Sequence, residues 1–176
     1  MRSVFIVAGI LVGIVVLIAI IGALLPRDHV ATVTATIPAS PQKVWAAITD
    51  VEAFPTWRSE VQRVEVVSQP GSAKSWREYS KHGPVTMAID AAEAPHRLVV
   101  RIADTDLPFG GGWEYVIAPE AADTTRSRVT ITERGYVSNP IFRFVSRFVM
   151  GHYASLDSYL RALGKKFGGD VTPTRV

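Results

Sequence analysis

Cysteine is absent from all 176 residues, which excludes a disulfide, a thiolate metal site and a cysteine nucleophile. An excess of charge of one sign is nearly absent too. Lys plus Arg number 19 against 16 Asp plus Glu, a net +3 with an isoelectric point near 9.4, and no run of five basic residues occurs. That imbalance is too small to mark nucleic acid as a partner. The chain also lacks HExxH, a nucleophile elbow, a Walker loop and a dinucleotide fingerprint. His29, His82, His96 and His152 show no close ligand spacing. Neither a metal nor a cofactor is therefore expected, and no internal repeat or low-complexity tract is evident.

What the chain has in excess is apolar residues, 48% of the total, concentrated at the N-terminus. Val4 to Leu25, VFIVAGILVGIVVLIAIIGALL, carries no charge, and its length as a helix is about 33 Å, the thickness of a hydrocarbon core. β-branched residues weaken helices in water, but lipid offers the backbone no alternative partner and enforces intrahelical bonding. Pro26 ends the run. A cleaved signal peptide is the rival reading because Arg2 supplies a positive start, yet the apolar stretch is too long and Ile21-Gly22-Ala23 is a poor cleavage site. A membrane anchor over residues 1–28 is the reading the segment favours. Gly9 and Gly13 form a GxxxG pattern, a weak signal on its own. Arg2 on one side and Arg27 with Asp28 on the other leave the orientation open.

The remaining chain has the size of one domain. His29 to Ile37 alternates with the period of a strand. Ser40-Pro41 reads as a side-chain cap with proline at the first helical position, followed by the apolar stripe Val44, Trp45, Ile48. Phe54-Pro55-Thr56-Trp57 interrupts it. Six β-type runs follow: Val61–Ser68, Ser75–Ser80, Val85–Ala92, Arg97–Ala103, Trp113–Ala118 and Arg128–Val137. Turn chemistry separates them at Pro70-Gly71, His82-Gly83-Pro84, Ala94-Pro95, Pro108 with Gly110 to Gly112, and Pro119 to Asp123. Asn139-Pro140 repeats the cap signal. Helical spacing then runs about eight turns through Ile141, Val145, Phe148, Val149, His152, Leu156, Tyr159, Leu160, Leu163 and Phe167, with basic residues opposite, to Gly168-Gly169. Residues 170–176 read as a polar tail. This order predicts an α+β fold in which a curved seven-stranded antiparallel sheet wraps a long C-terminal helix, leaving a cavity between them.

The same order, with SPQKVWAAITDVEAFPTWR near the start and NPIFRF and YLRALGKKF near the end, resembles the START-like (SRPBCC, helix-grip) superfamily of polyketide cyclase/dehydrase and lipid-transport-like proteins over residues 29–169. DLPFGGGW and ITERGYVSNPIFRF are similar to segments of membrane-anchored bacterial members. The resemblance implies a pocket for an apolar or amphipathic molecule such as a lipid, polyketide or aromatic. Members range from carriers to cyclases, so the fold does not decide activity.

Within the expected cavity two residues stand out. His152 falls on the centre line of the helical stripe and should face the sheet, as a hydrogen-bonded core histidine or as a ligand contact or proton carrier. Glu133 shares the phase of Val129 and Ile131, which carries a carboxylate inward; burial would make it an acid or base, a neighbouring Arg134 or Arg58 merely structural. Trp76 with Glu78, and Ile102 with Asp104, repeat that arrangement, so three acids could form a polar mouth. Trp57, Met87, Trp113, Tyr115, Phe148 and Tyr159 are candidates for the lining, although large residues in core phase are more often packing. Arg143, Arg147, Arg161, Lys165 and Lys166 make the last segment basic, either a solvated face or one resting on lipid head groups.

Three functions compete on this basis. The favoured one is non-catalytic binding or local transfer of a hydrophobic small molecule beside the membrane. An enzyme of cyclase or dehydratase type would use Glu133 or His152 as acid–base, with Tyr115 or Tyr159 orienting the substrate. A membrane-anchored interaction module would carry no ligand at all; the sequence names no protein partner.

Overall fold

The structure, a computed structural model, describes residues 2–68, 73–121 and 123–176; the turn expected at Pro70-Gly71 lies outside them. Helix α1, Arg2–Leu24, is apolar all round, and its stretch Phe5–Leu24 has mean hydropathy 3.1 and stands almost wholly exposed. It is long and apolar enough to cross a membrane.

The sheet is antiparallel throughout. Its strands are β1 (Asp28–Ile37), β2 (Arg63–Val66), β3 (Ser75–Ser80), β4 (Gly83–Glu93), β5 (Arg97–Ile102), β6 (Phe109–Glu120), β7 (Asp123–Val137) and β8 (Thr174–Arg175), in the order β2-β3-β4-β5-β6-β7-β1-β8. The meander predicted by the turn signals therefore closes on β1, which pairs along its whole length with β7, from Asp28 opposite Tyr136 to Ile37 opposite Ser127. Period-two alternation puts Ala31, Val33, Ala35 and Ile37 in the core. On the other face Thr32 and Thr34 meet Thr132 and Thr130, hydroxyl to hydroxyl at 3.1 Å, the cross-strand pairing expected of threonine ladders.

Helix α2 (Pro41–Thr49) buries Val44, Ala47 and Ile48, and a 3-10 turn over Val51–Thr56 follows. The Ser40 side chain does not cap α2 as its sequence signal suggests; its carbonyl accepts from Val44 N at 3.0 Å instead. Asn139 does cap the next helix: its Oδ1 accepts from Ile141 N (2.9 Å) and Phe142 N (3.2 Å), two of the donors a helix start leaves unpaired.

Three further features differ from the sequence reading. The expected eight-turn helix is broken. Helix α3 (Pro140–Val145) passes into a π turn at Ser146–Met150, Gly151 adopts φ +74°, and α4 runs only from Ala154 to Lys166. Apolar spacing continues across the break and masks it, while Gly151 tolerates the left-handed backbone that ends the first segment. Gly110 to Gly112 are not a turn but part of β6, opposite Tyr136, Gly135 and Arg134 of β7; a Cβ on Gly111 would collide with Arg134 O, so glycine allows the two strands to approach. Thr174–Arg175, in the expected polar tail, add an eighth strand beside Val33 and Thr34 of β1.

Helix α4 lies in the grip of the sheet. Leu156, Leu160 and Leu163 are at most 2% exposed and join Val33, Ile117, Val129 and Ile131 in one core. The spacing i, i+4, i+7 places all three leucines on the sheet-facing side. Ser127 is fully buried at the far end, where its Oγ donates to Ala39 O at 2.6 Å.

Candidate functional site

Two polar clusters flank this core. The first sits where β1 and β7 meet the end of α1. Glu133 points inward as its phase predicts, with its side chain 14% exposed. His29 Nε2 lies 3.0 Å from Glu133 Oε1, while Oε2 accepts from Trp113 Nε1 (2.9 Å) and Ser155 Oγ (3.3 Å). Each element supplies one partner: β1, β6 and the first turn of α4. His29 lies against Gly135, its cross-strand neighbour, where a Cβ would sit 2.7 Å from His29 Cε1. Only glycine leaves room for the ring.

His29 in turn stacks on His152, ring centroids 4.2 Å apart at 21°. His152 occupies the turn after Gly151 rather than a helical face. Desolvation lowers its pKa below the usual imidazole value, and repulsion from His29 and Arg147 adds to this against the attraction of Glu133. Its neutral form is thereby favoured. Glu133 and His152 do not face each other across an open cavity; His29 stands between them.

On the far side of the two imidazoles opens a cavity of about 360 Å³, lined by residues that include Leu25, Pro26, Arg27, Arg143, Ser146 and Tyr153 besides His29 and His152. Arg143 donates to Leu25 O and Ser138 O, both at 3.0 Å, and its buried Nε has no partner. Arg147 and Asp28 also line this space. It is a small amphipathic hollow, apolar where α1 ends and basic along α3. A volume of this size falls within the range of small-molecule sites.

The second cluster fills the space between sheet and α4. Arg58, its side chain 13% exposed, pairs with Glu60 at 2.8 Å and Glu78 at 3.1 Å and lies over the Phe54 and Tyr159 rings. Glu78 also accepts from Trp76 Nε1 at 2.9 Å. Burial opposes the Arg58 charge, but Glu78, Tyr159 and Glu60 outweigh it, so the guanidinium holds its proton more tightly than usual. Tyr159 packs on Tyr115 and Trp57, centroids 5.4 Å in both cases. Burial pushes both tyrosine hydroxyls well up, with Arg58 opposing, so neither ionises near neutral pH. Trp57 Nε1 is buried without a partner.

The expected lining residues thus divide. Trp57, Tyr115 and Tyr159 pack together, and Met87 is buried opposite Trp76. Trp113 serves Glu133. Phe148 is separate, 60% exposed and beside Phe144. Nor do the three acids converge on one mouth: Glu78 belongs to Arg58, Glu133 to His29, and Asp104 accepts from Thr86 N at 2.6 Å. Sequence reasoning gave His29 no part in the site, although it shares the inward phase of Ala31 and Val33, and it left Arg143 and Arg147 on either a solvated face or one resting on lipid head groups, not lining a cavity. A further cavity of about 530 Å³, lined by Thr34, Thr36, Arg126, Arg128 and Asp170 among others, lies beside β8. Among the described residues no group of three His, Asp or Glu side chains has a metal-binding arrangement.

Comparison with known proteins places this geometry. The family model described as polyketide cyclase / dehydrase and lipid transport matches residues 28–165. No curated protein matches in sequence. Among solved structures, a START superfamily protein from Mycobacterium smegmatis superposes with TM-score 0.62 at 14% identity, covering 81% of this chain and 98% of its own. The ZhuI aromatase/cyclase from Streptomyces sp. R1128 gives 0.65 at 14%, covering 81% and 94%. Norcoclaurine synthase from Thalictrum flavum gives 0.62 at 12%, covering 79% and 86%. At such identities the likeness speaks for the START-like fold alone.

Proposed function

Because the chain belongs to the polyketide cyclase / dehydrase and lipid transport family, we propose that it binds a hydrophobic or amphipathic small molecule of lipid, polyketide or aromatic type beside a membrane, and passes it locally to or from the bilayer. The observation that carries this reading is the cavity shared by the end of α1 and the His29–His152 pair. Its apolar side, Leu25 and Pro26, continues an exposed helix of bilayer length. Its polar side offers imidazoles and guanidiniums to a head group or a carbonyl. Only residues 25–27 separate α1 from β1, so the tether holds the mouth at the bilayer, which suits exchange with lipid and forbids long-range shuttling. Delipidated full-length protein in detergent should take up a fluorescent fatty acid; absence of uptake of any apolar probe would overturn the proposal.

A second reading rests on a separate observation. His29 bridges a carboxylate and a second imidazole, and a histidine whose neutral form is favoured can accept a proton near neutral pH. Under this reading His152, which lines the same cavity, acts as acid–base on a substrate there, and Glu133 acts through His29. Turnover that survives replacement of both Glu133→Gln and His152→Gln would remove it. The ligand-free interaction module has less support, because a hollow of about 360 Å³ is large enough to hold a molecule.

A further inference from the structure

The segment before α4, α3 and its π turn, is exposed where a soluble domain should hide it. Phe142 is 52% exposed, Phe148 60%, Met150 62% and Val149 72%. Ile141, 41% exposed, belongs to the same run. Arg143 and Arg147, four apart, both line the cavity under α1. Such an exposed apolar patch on a small domain marks a surface that something covers.

We infer that Pro140–Met150 is a second membrane contact, an interfacial segment that lies in the head-group layer at the end of α1, with its Phe, Val and Met side chains below the phosphates and Arg143 and Arg147 level with them. The occupant follows from position and charge. Gly22 of α1 packs on Pro140 so closely that a Cβ would collide with the Pro140 carbonyl, and Arg143 donates to Leu25 O at the helix end. The patch is thus fixed against the last turn of the apolar helix and continues its exposed surface. Guanidiniums beside an apolar face complement lipid phosphates as they would not complement another apolar protein face. The Asn139 cap and the break at Gly151 make the segment an element separate from α4. One consequence is mechanical: the domain is held at two points, so the mouth lined by Arg27, Arg143 and His152 stays at head-group depth rather than swinging on a single tether.

This inference rests on α1 being a span, and the test separates the two. The natural lack of cysteine makes single nitroxide labels clean. Full-length Val12→Cys, Phe148→Cys and Thr124→Cys proteins are labelled and reconstituted in phosphatidylcholine–phosphatidylglycerol vesicles, and collision with oxygen is compared with collision with an aqueous nickel chelate. Thr124, at the start of β7, lies about 40 Å along that strand from its membrane end. The expected oxygen-to-nickel ratio is highest at 12, several-fold above the Thr124 value at 148, and lowest at 124. A ratio at 148 equal to that at 124, with 12 deep, overturns the interfacial contact and leaves the span. Shielding of 148 from both reagents overturns it in favour of a protein occupant such as a second copy. A label at 12 as aqueous as that at 124 overturns both.

Discussion

The two ends of the interface between sheet and α4 are built from similar residue types and are put to opposite uses. Around Arg58 the charge is saturated: Glu60 and Glu78 take the guanidinium nitrogens, Phe54 and Tyr159 its faces, and Tyr115 and Trp57 close the remaining space, with Trp57 Nε1 left unpaired. Around His29 the hydrogen-bond partners lie on one side only, and His152 is stacked on the other. Glu133, Trp113 and Ser155 hold the inner face of that cluster, and the outer face opens on the cavity beneath α1. Burial with the charge paired on every side produces a core, whereas burial with hydrogen bonds on one side produces a site.

That contrast predicts stability effects at the closed end and occupancy effects at the open end. The largest loss is expected for Leu160→Ala, which empties a fully buried position in α4 and should cost about 2–5 kcal/mol in a denaturant titration of the micelle-held protein. Arg58→Ala should follow at about 3 kcal/mol, since it leaves Glu78 half-buried without its cation. Either change should leave ligand uptake by the folded fraction intact; uptake lost together with Arg58 would mean that the two ends form one site. Asn139→Ala removes the α3 cap and should cost about 1 kcal/mol, while loosening the cavity wall enough to weaken uptake.

The smallest stability effect is expected at His152, and its sign is set by protonation. The folded-state pKa lies below the ordinary value of 6.5, so the unfolded chain takes up a proton first as pH falls. Stability is therefore full above about pH 7 and declines as acidification passes from the ordinary value toward the lowered one. His152→Gln should flatten this decline in a series of denaturation midpoints between about pH 7.5 and 5. An unchanged slope would assign the titration to another group.

Most of the fold was legible because alternation and spacing are local. β3 matches its predicted bounds, β1 alternates in burial with the period of a strand as expected, and the leucines of α4 follow the helical stripe. The glycine strand was misread because Gly110 to Gly112 carry turn chemistry in isolation; only the partner strand, with Gly135 and Tyr136 opposite, makes glycine a strand requirement there. The helix break escaped for a related reason: Phe148 and Val149 keep the period of a core stripe while packing on nothing in the sheet. Of the site, Glu133 could be placed by phase alone. His152 was found, but its position came from a helix that ends before it. His29 and the cavity depend on how α1 docks on α3, a contact between distant segments that no local pattern encodes.

The most direct measurement is native mass spectrometry of the full chain released from membranes in mild detergent, compared with a Ser146→Trp variant that fills the cavity beside His152. A bound apolar or amphipathic molecule on the unmodified protein, absent from the variant at equal denaturation midpoint, is the predicted result. A protein that emerges without any adduct and takes up none when lipid is supplied, or an adduct undiminished by Ser146→Trp, would contradict a ligand site at the anchor end of the sheet.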